Sequence, residues 1–160
     1  MNFRIEKAAP ENISQIVALI KEFAEFEKLL HVCEVSEKDL RAAIFGENCF
    51  VNCLVAFADE TCVGYAIFYP VFKSFRGERS MFLEDLYVSP NVRGKGFGLK
   101  MLKDVARVAL EQNCARMDWQ ALKWNAPAIK FYENLGAEND DENFDFRLRG
   151  AAFERLAAQD

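Results

Sequence analysis

The sequence predicts a mixed α/β layer protein, a central mixed sheet flanked by helices, and three features carry that expectation. Apolar residues Ile13, Ile16, Val17, Ile20, Phe23 and Ala24 recur at helical spacing, whereas residues 50–58 and 62–69 are β-rich runs joined by Asp59-Glu60-Thr61. Between Met81 and Leu110 an apolar strand passes a proline and a glycine-rich turn and feeds an amphipathic helix. That order is one of mixed α/β layers.

The remaining elements follow from local chemistry. Phe3-Arg4-Ile5 reads as a first strand, and Pro10-Glu11-Asn12 starts the first helix. Ser36-Glu37-Lys38-Asp39 has capping-box form and leads a second short helix through Leu40, Ala43 and Ile44. Residues 70–79 read as a polar-aromatic connection and 81–88 as the strand before the glycines. The next helix carries Leu99, Leu102, Val105, Ala106, Ala109 and Leu110. Residues 116–122 alternate as a strand. Pro127 suits a helix first turn, and Gly136 suits the residue just past its end. A last strand over 144–148 and a helix over 151–158 complete the order β-αα-βββ-α-β-α-β. With no repeat, low-complexity tract or linker, residues 1–160 are expected to form a single domain.

Composition narrows the function. The chain is 51% hydrophobic and 28% charged, as in ordinary globular proteins. It has no apolar run of the roughly 18 residues needed to span a membrane and no secretory h-region, so a cytoplasmic location is expected. A net charge of -5 argues against a nucleic-acid-binding surface and is compatible with a cationic substrate. The cysteines (Cys33, Cys49, Cys53, Cys62, Cys114) lack metal-site or disulfide-framework spacing and read as reduced thiols, with Cys49 and Cys53 on one side of a strand-like run. His31 is the sole histidine, which excludes a His-rich metal site and suits a loop. No metal is expected.

The segment Leu83-Glu84-Asp85-Leu86-Tyr87-Val88-Ser89-Pro90-Asn91-Val92-Arg93-Gly94-Lys95-Gly96-Phe97-Gly98-Leu99 carries the most chemistry. Glycines at a helix N-terminus let backbone N–H groups and the positive end of the helix dipole close around an anion, for which a pyrophosphate is the natural guest. The phosphate-loop pattern is absent. The dinucleotide fingerprint fails because Leu99 and Met101 stand where glycine is needed.

What remains, Arg93-x-x-Gly96-x-Gly98 after an apolar strand, resembles the coenzyme A loop of the GCN5-related N-acetyltransferases. A second signature of that family follows in Trp124-Asn125-Ala126-Pro127-Ala128-Ile129-Lys130-Phe131-Tyr132-Glu133-Asn134-Leu135-Gly136-Ala137. The resemblance spans the chain and is strongest to the diamine (spermidine/spermine-type) and thialysine N-acetyltransferase branch. Residues 19–27, 36–40 and 82–88, with Trp124-Asn125 and Phe131-Tyr132, carry that similarity.

The resemblance implies the acyl-coenzyme A N-acyltransferase fold and direct transfer of acetyl from acetyl-coenzyme A to a primary amine. An amine of pKa about 10.4 is mostly protonated at pH 7, which costs roughly 4–5 kcal/mol for the nucleophilic form. Glu84 is the candidate base acting through water, or else a holder of a cation. Tyr132 is the expected proton donor to the departing sulfur. Leu86, Tyr87 and Val88 would bond the pantetheine arm through their backbone; Arg93, Gly94, Lys95, Gly96, Phe97, Gly98 and Leu99 would cradle the diphosphate. Asn125 and Ala128 would contact the arm or the diphosphate from the next helix. Glu27 and Asp85 would hold a distant ammonium. Strand alternation puts Asp85 on the face opposite Glu84 unless a bulge re-aims them.

Polyamine-acetylating members carry an acidic residue and a tryptophan before the Glu-Asp strand, where this chain has Ser74 and Arg76, and Phe144 replaces a later family tryptophan. A lysine-like amine or short diamine is therefore expected rather than spermine, with Arg76 pairing with a substrate carboxylate or standing solvated. Relatives of this branch imply a homodimer. A non-catalytic acyl-coenzyme A sensor and a peptide acetyltransferase are the alternatives.

Overall fold

Pro10 opens a short 3₁₀ turn closed by Asn12, whose Oδ1 accepts the Ala9 N–H at 2.8 Å. The first helix, α1, then runs over Ile13–Phe26 with Ile13, Ile16, Val17 and Leu19 buried. It stops without a glycine: Lys28 takes φ +61° and the Leu29 N–H reaches back to Ala24 O at 2.7 Å. That turn leaves Glu27 at the helix end. The second helix, α2 (Glu37–Phe45), starts at the expected capping box. Ser36 Oγ accepts from Asp39 N at 3.2 Å, and the Asp39 carboxylate accepts from Ser36 N at 3.3 Å. These contacts come from a computed structural model that describes residues 2–140 and 146–158.

The chain forms two compact units, Met1–Gln120 and Ala121–Asp160. In the first, strands β1 (Phe3–Lys7), β2 (Asn52–Ala58), β3 (Thr61–Lys73), β4 (Glu78–Val88) and β5 (Arg116–Trp119) lie in the order β1-β2-β3-β4-β5. The first three pairings are antiparallel. The last is parallel, across helix α3 (Phe97–Glu111). One face of the sheet presents Val55, Phe57, Tyr65, Ile67 and Tyr87 to α1 and to Leu40 of α2. Helix α3 takes the other face, where Met101 approaches Gly64. Burial of these apolar groups, worth about 25 cal/mol per Å², holds the layers together.

Several boundaries differ from the sequence expectation. The connection expected over 70–79 is mostly strand: β3 continues to Lys73 and β4 begins at Glu78. β3 outruns β2 beyond the Asn52↔Phe68 pair, so it becomes an edge there and tolerates Pro70. On α3 the buried stripe is Phe97, Met101, Leu102, Val105 and Ala109, while Leu110 is exposed. β5 is shorter than expected. Cys49 lies outside β2 and is exposed whereas Cys53 is buried, so the two do not share a face. The five cysteines are free thiols. His31 sits in a 3₁₀ turn, Leu30–Val32.

The second unit holds α4 (Ala126–Glu133) and α5 (Ala151–Ala157). Asn125 caps α4, Pro127 occupies its first turn, and Gly136 follows its end at φ +84°. Phe144 and Asp145 of the expected last strand lie outside the described residues, and Phe146, Arg147 and Leu148 are not in a strand. No described helix is long and apolar enough to cross a membrane.

Candidate active site

The loop between β4 and α3 is built for a close backbone approach. Gly94 and Gly96 take φ +76° and +79°, which an L side chain rarely adopts. No atom lies within 4 Å of where a Cβ would stand on either, so the space beside them is open. Gly98 differs: it lies inside α3 with ordinary helical backbone, as does Leu99. Phe97 is buried and its ring stacks on Phe3 with centroids 3.8 Å apart, so its side chain anchors the loop to β1 and leaves its backbone to any ligand. Arg93 is held at the loop entrance. Its Nε donates to Val88 O at 2.9 Å, and its guanidinium lies 4.6 Å from the Phe26 centroid and 5.4 Å from that of Tyr87. Lys95 is exposed beside Gly96.

Strand β4 supplies the second half of the site. It pairs with β5 only over Ser80–Leu83, so among the described strands none covers that edge over Asp85, Leu86, Tyr87 and Val88. In an antiparallel ladder every other residue turns its N–H and C=O away from the partner, here β3. An extended chain with amides can dock along that edge as an added strand.

Glu84 interrupts the β3–β4 register. Ile67 pairs with Asp85 and Phe68 with Leu83, which leaves Glu84 as the extra residue of a β-bulge. Strict alternation is thereby broken. Tyr65, Tyr69 and Asp85 lie on the face toward α1, and the Glu84 carboxylate is drawn there too, accepting from Tyr69 Oη at 2.7 Å. The Asp85 carboxylate accepts from Tyr65 Oη at 3.0 Å. The expectation of opposite faces gives way to the bulge.

Burial pushes the Asp85 carboxyl up to about 6, and the charges of Glu84 and Glu27 add to the rise against the lowering by Tyr65. Burial likewise raises the Glu27 carboxyl. Tyr69 is pushed up to about 12, by burial first and then by Glu84. Glu27, Glu84 and Asp85 thus act on one region, where the hydrogen-bond donors to Glu84 and Asp85 are neutral phenols. The described ion pairs of lysine and arginine go elsewhere, to Glu6, Glu60, Glu78, Asp104 and Asp118. Among the described residues no three His, Cys, Asp or Glu side chains are grouped to hold a metal ion.

Arg76 is in the turn between β3 and β4, beside exposed Phe75; from there six ladder pairs (Lys73↔Glu78 to Phe68↔Leu83) run to the bulge, five steps or about 17 Å at the usual strand rise. Arg76 and Glu84 are thus held apart along the β3–β4 hairpin. In the second unit, Asn125 Oδ1 accepts from Ala128 N at 3.3 Å, which commits both groups to capping α4. Tyr132 is partly buried on α4, its ring 5.2 Å from that of Phe131.

Three contributors escape a reading of the sequence. Glu22 accepts from Tyr87 Oη at 2.9 Å and from Ser89 Oγ at 3.1 Å, tying α1 to the end of β4. Tyr65 and Tyr69 hold the two carboxylates. Their four-residue spacing in one strand, opposite a Glu-Asp pair in the next, is the signal that could have found them. An open groove of about 810 Å³ lies beside Glu22 and Ser89, but none of Glu27, Glu84 or Asp85 lines it.

Comparisons with known proteins show what the chain is similar to. Residues 16–137 match the model of the acetyltransferase (GNAT) family. Thialysine N-epsilon-acetyltransferase of Mus musculus is 40% identical over 98% of both chains, and that of Sus scrofa is 39% identical over 97% of both. Among solved structures, an integron cassette protein from the mobile metagenome of V. cholerae superposes with a TM-score of 0.81 at 29% identity, covering 99% of each chain.

Proposed function

The chain belongs to the acetyltransferase (GNAT) family, and on that premise we propose that it moves acetyl from acetyl-coenzyme A to the primary amine of a small, lysine-like molecule. The observation that carries the acceptor class is the set of carboxylates Glu27, Glu84 and Asp85 acting on one region with phenols as hydrogen-bond donors. An ammonium group supplies a positive charge that the described hydrogen-bond donors to Glu84 and Asp85 do not. The acceptors named for the mouse and pig relatives, ε-amines of thialysine, favour the same class.

The loop fits the donor. Backbone N–H groups around Gly94 and Gly96 would hold the diphosphate, with Arg93 and Lys95 adding positive charge. The open edge of β4 over Leu86, Tyr87 and Val88 would take the pantetheine amides. Acetyl-coenzyme A supplies the acetyl group as an activated thioester. Glu84, on the bulge and at the exposed rim, holds the incoming ammonium beside Glu27. Tyr132 is assigned the proton that the departing sulfur needs, on the strength of its place in the second signature. The working form is taken to be a homodimer in the cytoplasm, which light scattering and cell fractionation test directly.

The test is free coenzyme A release from acetyl-coenzyme A across lysine, thialysine, short diamines, spermidine, spermine, an aminoglycoside and a basic peptide. Turnover confined to the lysine-like amines supports the proposal. Faster turnover with spermidine, spermine or the peptide overturns the acceptor assignment. Tight coenzyme binding with no turnover on any amine would mark a non-catalytic acyl-coenzyme A binder instead.

A further inference from the structure

Two carboxylates lie side by side on β4, and their surroundings divide the work between them. Glu84 is exposed on the bulge, where its carboxylate accepts from Tyr69 Oη and is open to water. Asp85 is only partly exposed, set among the apolar side chains that α1 and the sheet bury. Among the described contacts its hydrogen-bond donor is Tyr65, at Oδ2. Among the described residues the ionisable groups found to act on it are neutral or negative: Cys53 from β2, Tyr65 and Tyr69 from β3, Glu84 from β4 and Glu27 from the end of α1; the Arg93 guanidinium lies instead over the Phe26 and Tyr87 rings. A carboxylate in those surroundings gains by taking a proton, whereas a solvated one gains little.

We propose that Asp85 is the group that deprotonates the acceptor's ammonium, that Tyr65 is its positioning residue, and that Glu84 and Glu27 bind the ammonium without taking its proton. The proposal rests on the amine-acetyltransferase reading above and assigns a step within it. An N–H bond of the ammonium breaks, and its proton goes to Asp85 Oδ1, the oxygen not engaged by Tyr65. The freed lone pair forms the new C–N bond at the thioester carbonyl as the C–S bond breaks. The departing thiolate takes its proton from Tyr132, the new amide nitrogen sheds its second proton to solvent, solvent restores a proton to the Tyr132 phenol, and Asp85 returns its own to solvent after product leaves. Burial narrows the gap of roughly 6 units between an ordinary carboxylate and an alkylammonium, which is what proton transfer at neutral pH requires.

The pH dependence of kcat/KM for thialysine, measured from pH 5 to 9 in four proteins, decides the matter. The wild type should show an acid limb from one ionisation near pH 6. Tyr65→Phe should move that limb to higher pH, because the phenol stabilises the ionised form. Glu84→Gln should keep the limb and move it to lower pH, because a like charge is removed, while KM for the amine rises. Asp85→Asn should abolish the limb and lower kcat by about 10²–10⁴-fold, with coenzyme binding intact. Should Asp85→Asn fail to fold, the opposite shifts in the other two variants still identify the titrating group. A limb that vanishes in Glu84→Gln, or stays put in both Tyr65→Phe and Glu84→Gln, overturns the assignment to Asp85 and leaves the acetyltransferase reading standing. Absence of thialysine turnover in the wild type is instead a failure of that reading.

Discussion

Replacing Gly96 by alanine separates a binding role of the β4–α3 loop from its backbone strain, because the structure supplies a matched control. Gly96 has φ +79° and Gly77, in the β3–β4 turn, has φ +64°; neither has an atom within 4 Å of an added Cβ. Each alanine therefore meets the same kind of strain, about 1–2 kcal/mol for an L residue in left-handed backbone. Reduced freedom of the unfolded chain offsets about 0.4–1 kcal/mol of that. Both variants should lose about 1 kcal/mol, a fall in Tm of about 2–4 °C. Only at Gly96 does the methyl intrude where a diphosphate would meet the backbone. Loss of one charge-assisted hydrogen bond there is worth about 1.5–3 kcal/mol, so KM for acetyl-coenzyme A should rise about 10- to 150-fold in Gly96→Ala. Gly77→Ala should leave it unchanged. Initial-rate kinetics with acetyl-coenzyme A varied, alongside thermal melts, read both quantities. Equal KM changes in the two variants, or none in either, would refute a phosphate-cradling role for this loop.

Other substitutions probe the remaining parts. Tyr132→Phe should lower kcat by about 10²–10⁴-fold, the usual worth of a general acid, while calorimetry shows unchanged coenzyme binding; wild-type turnover would remove Tyr132 from the mechanism. Gly64→Ala puts a Cβ 2.7 Å from Tyr87 O, a backbone atom that cannot step aside, and should cost about 1–3 kcal/mol in denaturant unfolding. Ser36→Ala removes the α2 cap and should cost about 1 kcal/mol by the same measurement. Asp85→Asn carries a stability signature of its own. The wild-type carboxyl titrates near 6 when folded and near its ordinary 3.8 when unfolded, so the cost of burying its charge is full above pH 6 and vanishes as pH falls toward 4. The asparagine variant lacks that cost. Its stability relative to wild type, followed by chemical denaturation, should be highest above pH 6 and decline between pH 6 and 4.

What the sequence conveyed about this protein was whatever is written in short-range chemistry. Ser36 and Asp39 announced their helix, Gly94 and Gly96 their left-handed turn, and the apolar periodicity of α1 its buried face. Pro70 was misleading because an edge accepts a proline that a central strand would not, and the edge exists only because β3 outruns β2. The same limit governed the site. Alternation along β4 put Glu84 and Asp85 on opposite faces, and nothing in the six residues around them specifies a bulge. The bulge is a property of the β3–β4 pairing, in which Phe68 meets Leu83 and Ile67 meets Asp85. Once the register slips there, both carboxylates come under the tyrosines of β3, one exposed and one partly buried. Two adjacent acids of nearly the same intrinsic strength become chemically unlike through a single unpaired residue. The acid–base pattern of this site is therefore a consequence of strand pairing, and a change that removed the bulge without touching either carboxylate should abolish it.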